Sequence, residues 1–366
     1  MKINLIIFIS EFNLGGAGNS IFKLCRYLPK KIFKISVICL KKCSYKKELL
    51  KNNINVFEIK KSRTLFAMKN VRNIVEKLID KKNFKKNIFL SNIYYSNILS
   101  ILFLRDLNLK IILVERTPYQ ELEIYYNLFN YLKKNVIKLL IYFTYKKADL
   151  CISNSKYISK EYNKKYNLNF KTIYPPSFTK KIKYKKNISK YKKKFELVTV
   201  CRLAKEKGVY NFLKIIPYLK KEVLFHIIGS GPEKEKLKNQ IKELGIKNNI
   251  IFHGTVKPSQ IINKIKNYDL FINCSYFEGF PNSVIEALSA GIPVLASQSH
   301  GGINEIINNK NFGNIYNNKN ELLKLLNNFI LKKNKYKLNS NLILNHLNNF
   351  SLKKSISDYQ KIFKKI

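Results

Sequence analysis

A repeated alternation limits the fold of this chain more than any other feature of its sequence. Short apolar runs at residues 3–9, 35–40, 55–58, 87–91 and 110–114 take turns with helix-period stretches. One such stretch runs through Ile21, Phe22, Leu24, Cys25 and Leu28, and others cover residues 65–81 and 94–105. Strands separated by a helix cannot be joined by a hairpin, so the pattern predicts a parallel sheet wrapped by helices. It stops in a tract rich in Lys, Tyr, Asn and Ser, residues 177–194, and restarts with the buried-strand pattern of residues 195–201. A chain of 366 residues is long for one core. We therefore read residues 1–176 and 195–349 as two domains joined by a linker at 177–194, with a closing helix over 350–366.

A hydrophobic fraction of 46% leaves ample material to bury and excludes a disordered chain. The formal net charge of +46 invites a nucleic-acid partner, yet only six of the 69 basic residues are Arg. Base readers and phosphate forks favour Arg, and the lysines are scattered, as at Lys41-Lys42, Lys180-Lys181 and Lys364-Lys365. They read as solvated faces, with a residual attraction to anionic lipid headgroups or phosphorylated substrates, and no nucleic acid is expected. Six cysteines without C-x-x-C spacing suit reduced thiols in a cytosolic protein. The first apolar run is too short for a signal core or a membrane span.

Several loops carry chemistry. Asn13-Leu14-Gly15-Gly16-Ala17-Gly18 joins a strand to a helix, where backbone amides can approach a phosphate, although a tight turn with no ligand has the same appearance. The G-x-G-x-x-G spacing is not met and no acidic residue follows the second strand, which argues against a nicotinamide dehydrogenase. Glu115-Arg116-Thr117-Pro118 follows a strand directly and should face a ligand crevice. Arg202 and Lys207 lie around a loop after another strand, a placement suited to holding a diphosphate. His226 to Glu233 reads as strand, glycine turn and helix start. In residues 275–294 a strand gives way to a Gly/Pro/Asn turn, a helix and a further strand. Pro281 stands near the helix start and Asn282 or Ser283 can cap it, leaving amides for an anion. Glu278 sits in the turn, and Glu286 is enclosed by Val284, Ile285, Ala287 and Leu288, so its carboxylate needs a defined partner such as ribose hydroxyls.

At these residues the chain resembles glycosyltransferase family 4, the bacterial group 1 type. Glu278-Gly279-Phe280-Pro281-Asn282, Glu286-Ala287 and Ala290-Gly291-Ile292-Pro293-Val294 match the Glu-x7-Glu motif and its flanks. Arg202-Leu203 with Lys207-Gly208, Gly229-x-Gly231-Pro232-Glu233 and Gly301-Gly302-Ile303-Asn304-Glu305-Ile306 match further family elements. Cys201 stands where Gly is common, Pro175-Pro176 replaces Asn-Pro or Asn-Gly, and the His that many relatives carry near Glu115 is missing. The resemblance implies an α/β chain of GT-B fold, two Rossmann-like domains facing across a cleft, with the C-terminal helix crossing back to the first. It implies a retaining transfer from a nucleotide diphosphate sugar, a UDP-hexose or UDP-N-acetylhexosamine, to a hydroxyl of a lipid-linked or cell-envelope saccharide. Glu286 would take the ribose. Glu278, with backbone amides near Phe280 and Asn282, would orient the donor sugar. The amides of Ser283 and Val284, with Arg202 and Lys207, would hold the diphosphate. Gly229 and Gly231 would lie beside the nucleotide, and Gly15, Gly16 and Arg116 would line the acceptor side. Two cations and a helix terminus can replace a divalent ion, so neither metal nor cofactor is expected.

Residues 121–147 hold many Tyr, Phe and Leu with Lys133, Lys134, Lys138, Lys146 and Lys147. They read as a basic aromatic amphipathic helix or helix pair. Such an element packs into a core with a wet Lys face, the reading favoured here, or lies on an anionic membrane. The expected location is cytoplasmic, extending to the inner face of the cell membrane.

Overall fold

The computed structural model describes residues 1–79, 84–179, 194–220, 222–331 and 340–366. It divides into two compact units, Met1–Pro176 with Leu352–Ile366, and Ser177–Ser351. In the first unit seven strands form one sheet: β1 (Lys2–Ile9), β2 (Phe33–Cys39), β3 (Asn55–Glu58), β4 (Phe84–Asn92), β5 (Lys110–Glu115), β6 (Leu150–Ser153) and β7 (Phe170–Thr172). Their order is β3-β2-β1-β4-β5-β6-β7 and every pairing is parallel. All but the first residue of β1 are buried, the continuous apolar run of a central strand covered on both faces. On one face the helix Gly16–Tyr27 packs through Ile21, Leu24 and Cys25, beside the terminal helix Leu352–Lys365 with Ile356, Tyr359 and Phe363. The ring of Phe363 meets Phe33 of β2 edge-on at 5.9 Å. The other face carries the helices Thr64–Leu78, Tyr94–Leu104, Leu128–Tyr145 and Lys156–Tyr166.

The second unit repeats the plan with β8 (Phe195–Val200), β9 (Val223–Ile228), β10 (Ile250–Gly254), β11 (Leu270–Asn273), β13 (Val294–Ser297) and β15 (Gly313–Tyr316), in the order β10-β9-β8-β11-β13-β15. Two very short strands, β12 (Phe277–Glu278) and β14 (His300–Gly301), pair separately. Of the linker expected at 177–194, residues 180–193 lie outside the described residues. Phe178 belongs to the second unit, where its amide donates to the Phe350 carbonyl at 3.0 Å and it bridges Ser351. In both sheets the strand order reverses beside the first strand, at β1/β4 and at β8/β11. Connections there leave in opposite directions, so a crevice opens beyond the carboxyl ends.

Candidate functional site

The loops leaving β8 and β11 flank the crevice of the second sheet, and they are stitched together. The Tyr276 amide donates to the Glu206 carbonyl at 2.9 Å, and the Cys274 thiol lies 3.2 Å from the Lys207 carbonyl oxygen. Gly208, at φ +64°, comes so near that a Cβ there would sit 1.9 Å from the Cys274 oxygen. Only glycine permits that approach. The result brings two expected site residues together: Lys207 Nζ donates to Glu278 Oε1 at 2.7 Å, and Ser275 Oγ donates to the same oxygen at 2.8 Å. Both charged side chains are largely buried. Burial works against the Lys207 charge, but attraction to Glu278 outweighs it and holds the ammonium above its ordinary pKa. Lys207 is therefore a fixed cation at neutral pH.

Glu278 is held by the β12–β14 pair. Gly301, at φ +125°, lies under the Glu278 carbonyl, where a Cβ would be 1.4 Å from the oxygen. The helix Asn282–Ser289 starts four residues on, with Pro281 as its N-cap and no side-chain cap. This corrects two expectations. Asn282 does not cap the helix, since its Oδ1 accepts from Ser177 Oγ at 2.6 Å. The Val284 amide is also not free for phosphate, because it donates to the Pro281 carbonyl at 3.0 Å. First-turn amides have no intrahelical acceptor, which leaves those of Asn282 and Ser283 for an anion. Val284, Ile285, Ala287, Leu288 and Ser289 are buried, whereas Asn282, Ser283 and Glu286 are half-buried. At spacings of one, three and four residues these last three share one face, which runs from the helix start to Glu286. Phe280 is buried and packs on Phe350 at 5.2 Å.

Arg202 is exposed on the loop after β8. Gly229 and Gly231 sit where the loop after β9 crosses that loop. A Cβ at Gly229 would be 1.8 Å from the Cys201 carbonyl oxygen, and one at Gly231 would be 2.3 Å from that of Leu203. The Leu203 amide donates to Ser230 at 3.0 Å and the Glu233 amide to Leu203 at 3.0 Å. Both glycines thus set the position of the Arg202 loop through backbone packing. Nothing in the sequence pointed to Ser177, whose partner Asn282 lies 105 residues away, or to Ser275, which reaches Glu278 from three residues before it in the same loop.

In the first unit, Gly15 and Gly16 are exposed at the start of the helix Gly16–Tyr27, beyond the carboxyl end of β1. The Gly15 amide donates to Asn13 Oδ1 at 3.0 Å. Arg116 is half-buried and its Nε donates to Asn92 Oδ1 at 3.1 Å. Burial lowers its pKa, with Tyr359 and Glu115 opposing that effect. Glu115 does not face a crevice: it is fully buried, and its carboxylate accepts from Tyr145 Oη at 2.8 Å and from the amides of Arg116 and Thr117 at 2.9 and 3.1 Å. Burial pushes its pKa up to about 7 against the pull of those donors. Ile93, beside Asn92, holds φ 73° and ψ 143°, a strained backbone for a β-branched residue. No sequence signal marked it.

Residues 121–147 form a short 3-10 turn, Tyr119–Glu123, and the helix Leu128–Tyr145. Its buried residues are Ile137, Ile141, Thr144 and Tyr145 alone. The favoured reading, core packing with only a wet Lys face, is corrected: much of the apolar surface of this helix faces solvent.

Two doubly wound parallel sheets, each with its own crevice, define the class, and solved structures share the plan. Sucrose-phosphate synthase from Thermosynechococcus elongatus superposes with a TM-score of 0.83 at 11% identity, covering 100% of this chain and 99% of the other. Anabaena HepE, solved with UDP and glucose, gives 0.77 at 18% identity, covering 99% and 100%. The lipopolysaccharide outer core galactosyltransferase WaaB, in its apo form, gives 0.72 at 20% identity over 100% of both chains. The fold is GT-B. Two family models match the chain, Glycosyltransferase Family 4 over residues 14–176 and Glycosyl transferases group 1 over residues 180–345. The chain belongs to the family 4, group 1 glycosyltransferases.

Among curated relatives, the lipopolysaccharide 1,6-galactosyltransferase of Salmonella typhimurium is 39% identical over 93 residues, 25% of this chain and 26% of that protein. The protein CapJ of Staphylococcus aureus is 28% identical over 217 residues, 56% of this chain and 50% of that protein. The matched stretches thus span a quarter and a half of those two relatives.

Proposed function

We propose that this protein is a retaining glycosyltransferase that moves a hexose or N-acetylhexosamine from a UDP-sugar to a hydroxyl of a lipid-linked or cell-envelope saccharide. The observation that carries the reading is the Lys207–Glu278 pair at the β8/β11 crevice, beside a helix start whose half-buried face ends in Glu286. The donor diphosphate sits against the amides of Asn282 and Ser283, with Lys207 and the exposed Arg202 balancing its charge. Glu286 accepts from the ribose hydroxyls. Glu278, steadied by Ser275 and Lys207, accepts from a hydroxyl of the donor sugar.

In the transfer, the bond from the anomeric carbon to the β-phosphate oxygen breaks and the nucleoside diphosphate leaves with the electron pair. The acceptor hydroxyl bonds to the anomeric carbon on the same face and passes its proton to the departing phosphate oxygen, which lies on that face. Negative charge grows on the departing phosphate, and in this reading Lys207, Arg202 and the helix start balance it, so the step needs no divalent ion. Gly15, Gly16 and Arg116 contribute the acceptor side. Relatives named for lipopolysaccharide, and one named alpha-monoglucosyldiacylglycerol synthase from Streptococcus pneumoniae, support an envelope acceptor. We place the reaction in the cytoplasm, at the inner face of the cell membrane.

Turnover of a panel of nucleotide sugars with a polyprenyl-linked saccharide, followed by NMR of the product anomer, tests this. UDP-sugar consumption that chelator leaves unchanged, with the donor's α configuration kept, is expected. An inverted product or strict dependence on added metal would refute the reading.

A further inference from the structure

We infer that the helix Leu128–Tyr145 is an interfacial anchor whose outer face rests in the surface of an anionic lipid bilayer. This goes beyond the transfer reaction and stands on the helix alone. The helix carries two apolar stripes. The inner one, Ile137, Ile141 and Tyr145, is buried in the core of the first unit. The outer one, Phe129, Leu132, Val136, Leu139 and Phe143, recurs at spacings of three and four residues, and each member is more than half exposed. Unbroken 3-4 spacing places all five on one face, the pattern of a helix that meets a second apolar surface. Leu128 and Tyr126 extend the exposed patch at the N-terminal end.

Charge decides what that surface is. The 18-residue helix has no Asp or Glu, and Lys133, Lys138, Lys146 and Lys147 lie on it or just beyond its end. Lys146 stands 4.0 Å from the Tyr142 ring centroid and Lys133 5.4 Å from that of Tyr95, while Lys138 Nζ donates to Tyr125 Oη at 2.6 Å. Lysines beside aromatic rings at the rim of an apolar face suit the boundary between acyl chains and phosphate headgroups. A second copy of the chain would bring like-charged lysines together on a protein of formal charge +46, so the partner that fits is a negative lipid surface. No described helix is long and apolar enough to cross a membrane, so the helix lies along the surface.

Flotation of the full chain with phosphatidylglycerol vesicles and with phosphatidylcholine vesicles tests this. The wild type should float with the first and stay behind with the second. A Phe129→Ser/Leu139→Ser variant, altered only at exposed positions, should keep its circular dichroism and thermal midpoint but bind phosphatidylglycerol at least about tenfold more weakly. UDP affinity of the same variant should match the wild type, which separates docking from donor binding. Three outcomes would overturn the inference. The wild type stays in the soluble fraction; or the variant binds like the wild type and both dissociate at about 0.5 M salt, as a mere polycation would; or light scattering reveals a dimer that the variant loses, with no lipid binding, which assigns the face to a second copy.

Discussion

Glu115 and Glu278 are both carboxylates at the end of a strand, yet their environments give them opposite work. Glu278 is tied to a cation and a hydroxyl at the mouth of a crevice, whereas Glu115 is sealed in with a phenol and two amides, and its pKa rises to about 7 because burial outweighs those donors. A folded pKa above the ordinary value of 4.5 means that the folded state binds the extra proton. Stability from this group is therefore present in acid and lost as pH rises from about 4.5 to about 7. Glu115→Gln removes that loss. Denaturant titrations at pH 5 and pH 8 should find the variant gaining on the wild type by up to about 3 kcal/mol across that interval. An unchanged difference would mean that Glu115 is ionised at both values. The burial of Glu115 was not legible in the sequence, because it is fixed by Tyr145, a residue 30 positions away. The unavailability of the Val284 amide is likewise a matter of how one turn closes on Pro281.

Among the elements, those punctuated by Gly and Pro were the most readable. The strand, turn, helix and strand of residues 270–297 follow the sequence pattern because Gly279, Pro281 and Gly291 leave few backbone alternatives. The β12–β14 pair was not readable, since two strands of two residues carry no periodicity. Its cause is nevertheless one residue, Gly301, and substitution there is a direct test. Gly301→Ala would put a methyl group 1.4 Å from the Glu278 carbonyl oxygen, and we expect about 3 kcal/mol or more of destabilisation or the opening of the pair. UDP titration should then weaken along with the thermal midpoint. A variant with wild-type stability and affinity would mean that the pair does not position Glu278. The helix Leu128–Tyr145 illustrates the limit of pattern reading, because two apolar stripes on one helix look alike in sequence and only the neighbouring elements decide which is buried.

At the scale of the molecule, the alternation of strands and helices was enough to reach two parallel sheets, because crossover connections leave a parallel sheet few topologies. The terminal helix joins the first core through Ile356, Tyr359 and Phe363, side chains at helical spacing on a segment otherwise rich in Lys and Ser. Each sheet reverses its order beside its first strand, and the account rests on the second of these crevices holding a nucleotide diphosphate. Calorimetric titration with UDP, in the wild type and in Glu286→Gln, tests that claim most directly. UDP should bind the wild type more tightly than NAD does, and the variant should lose about tenfold or more, the worth of hydrogen bonds to a charged acceptor. Equal affinity for UDP in the two proteins, or preference for NAD, would contradict it.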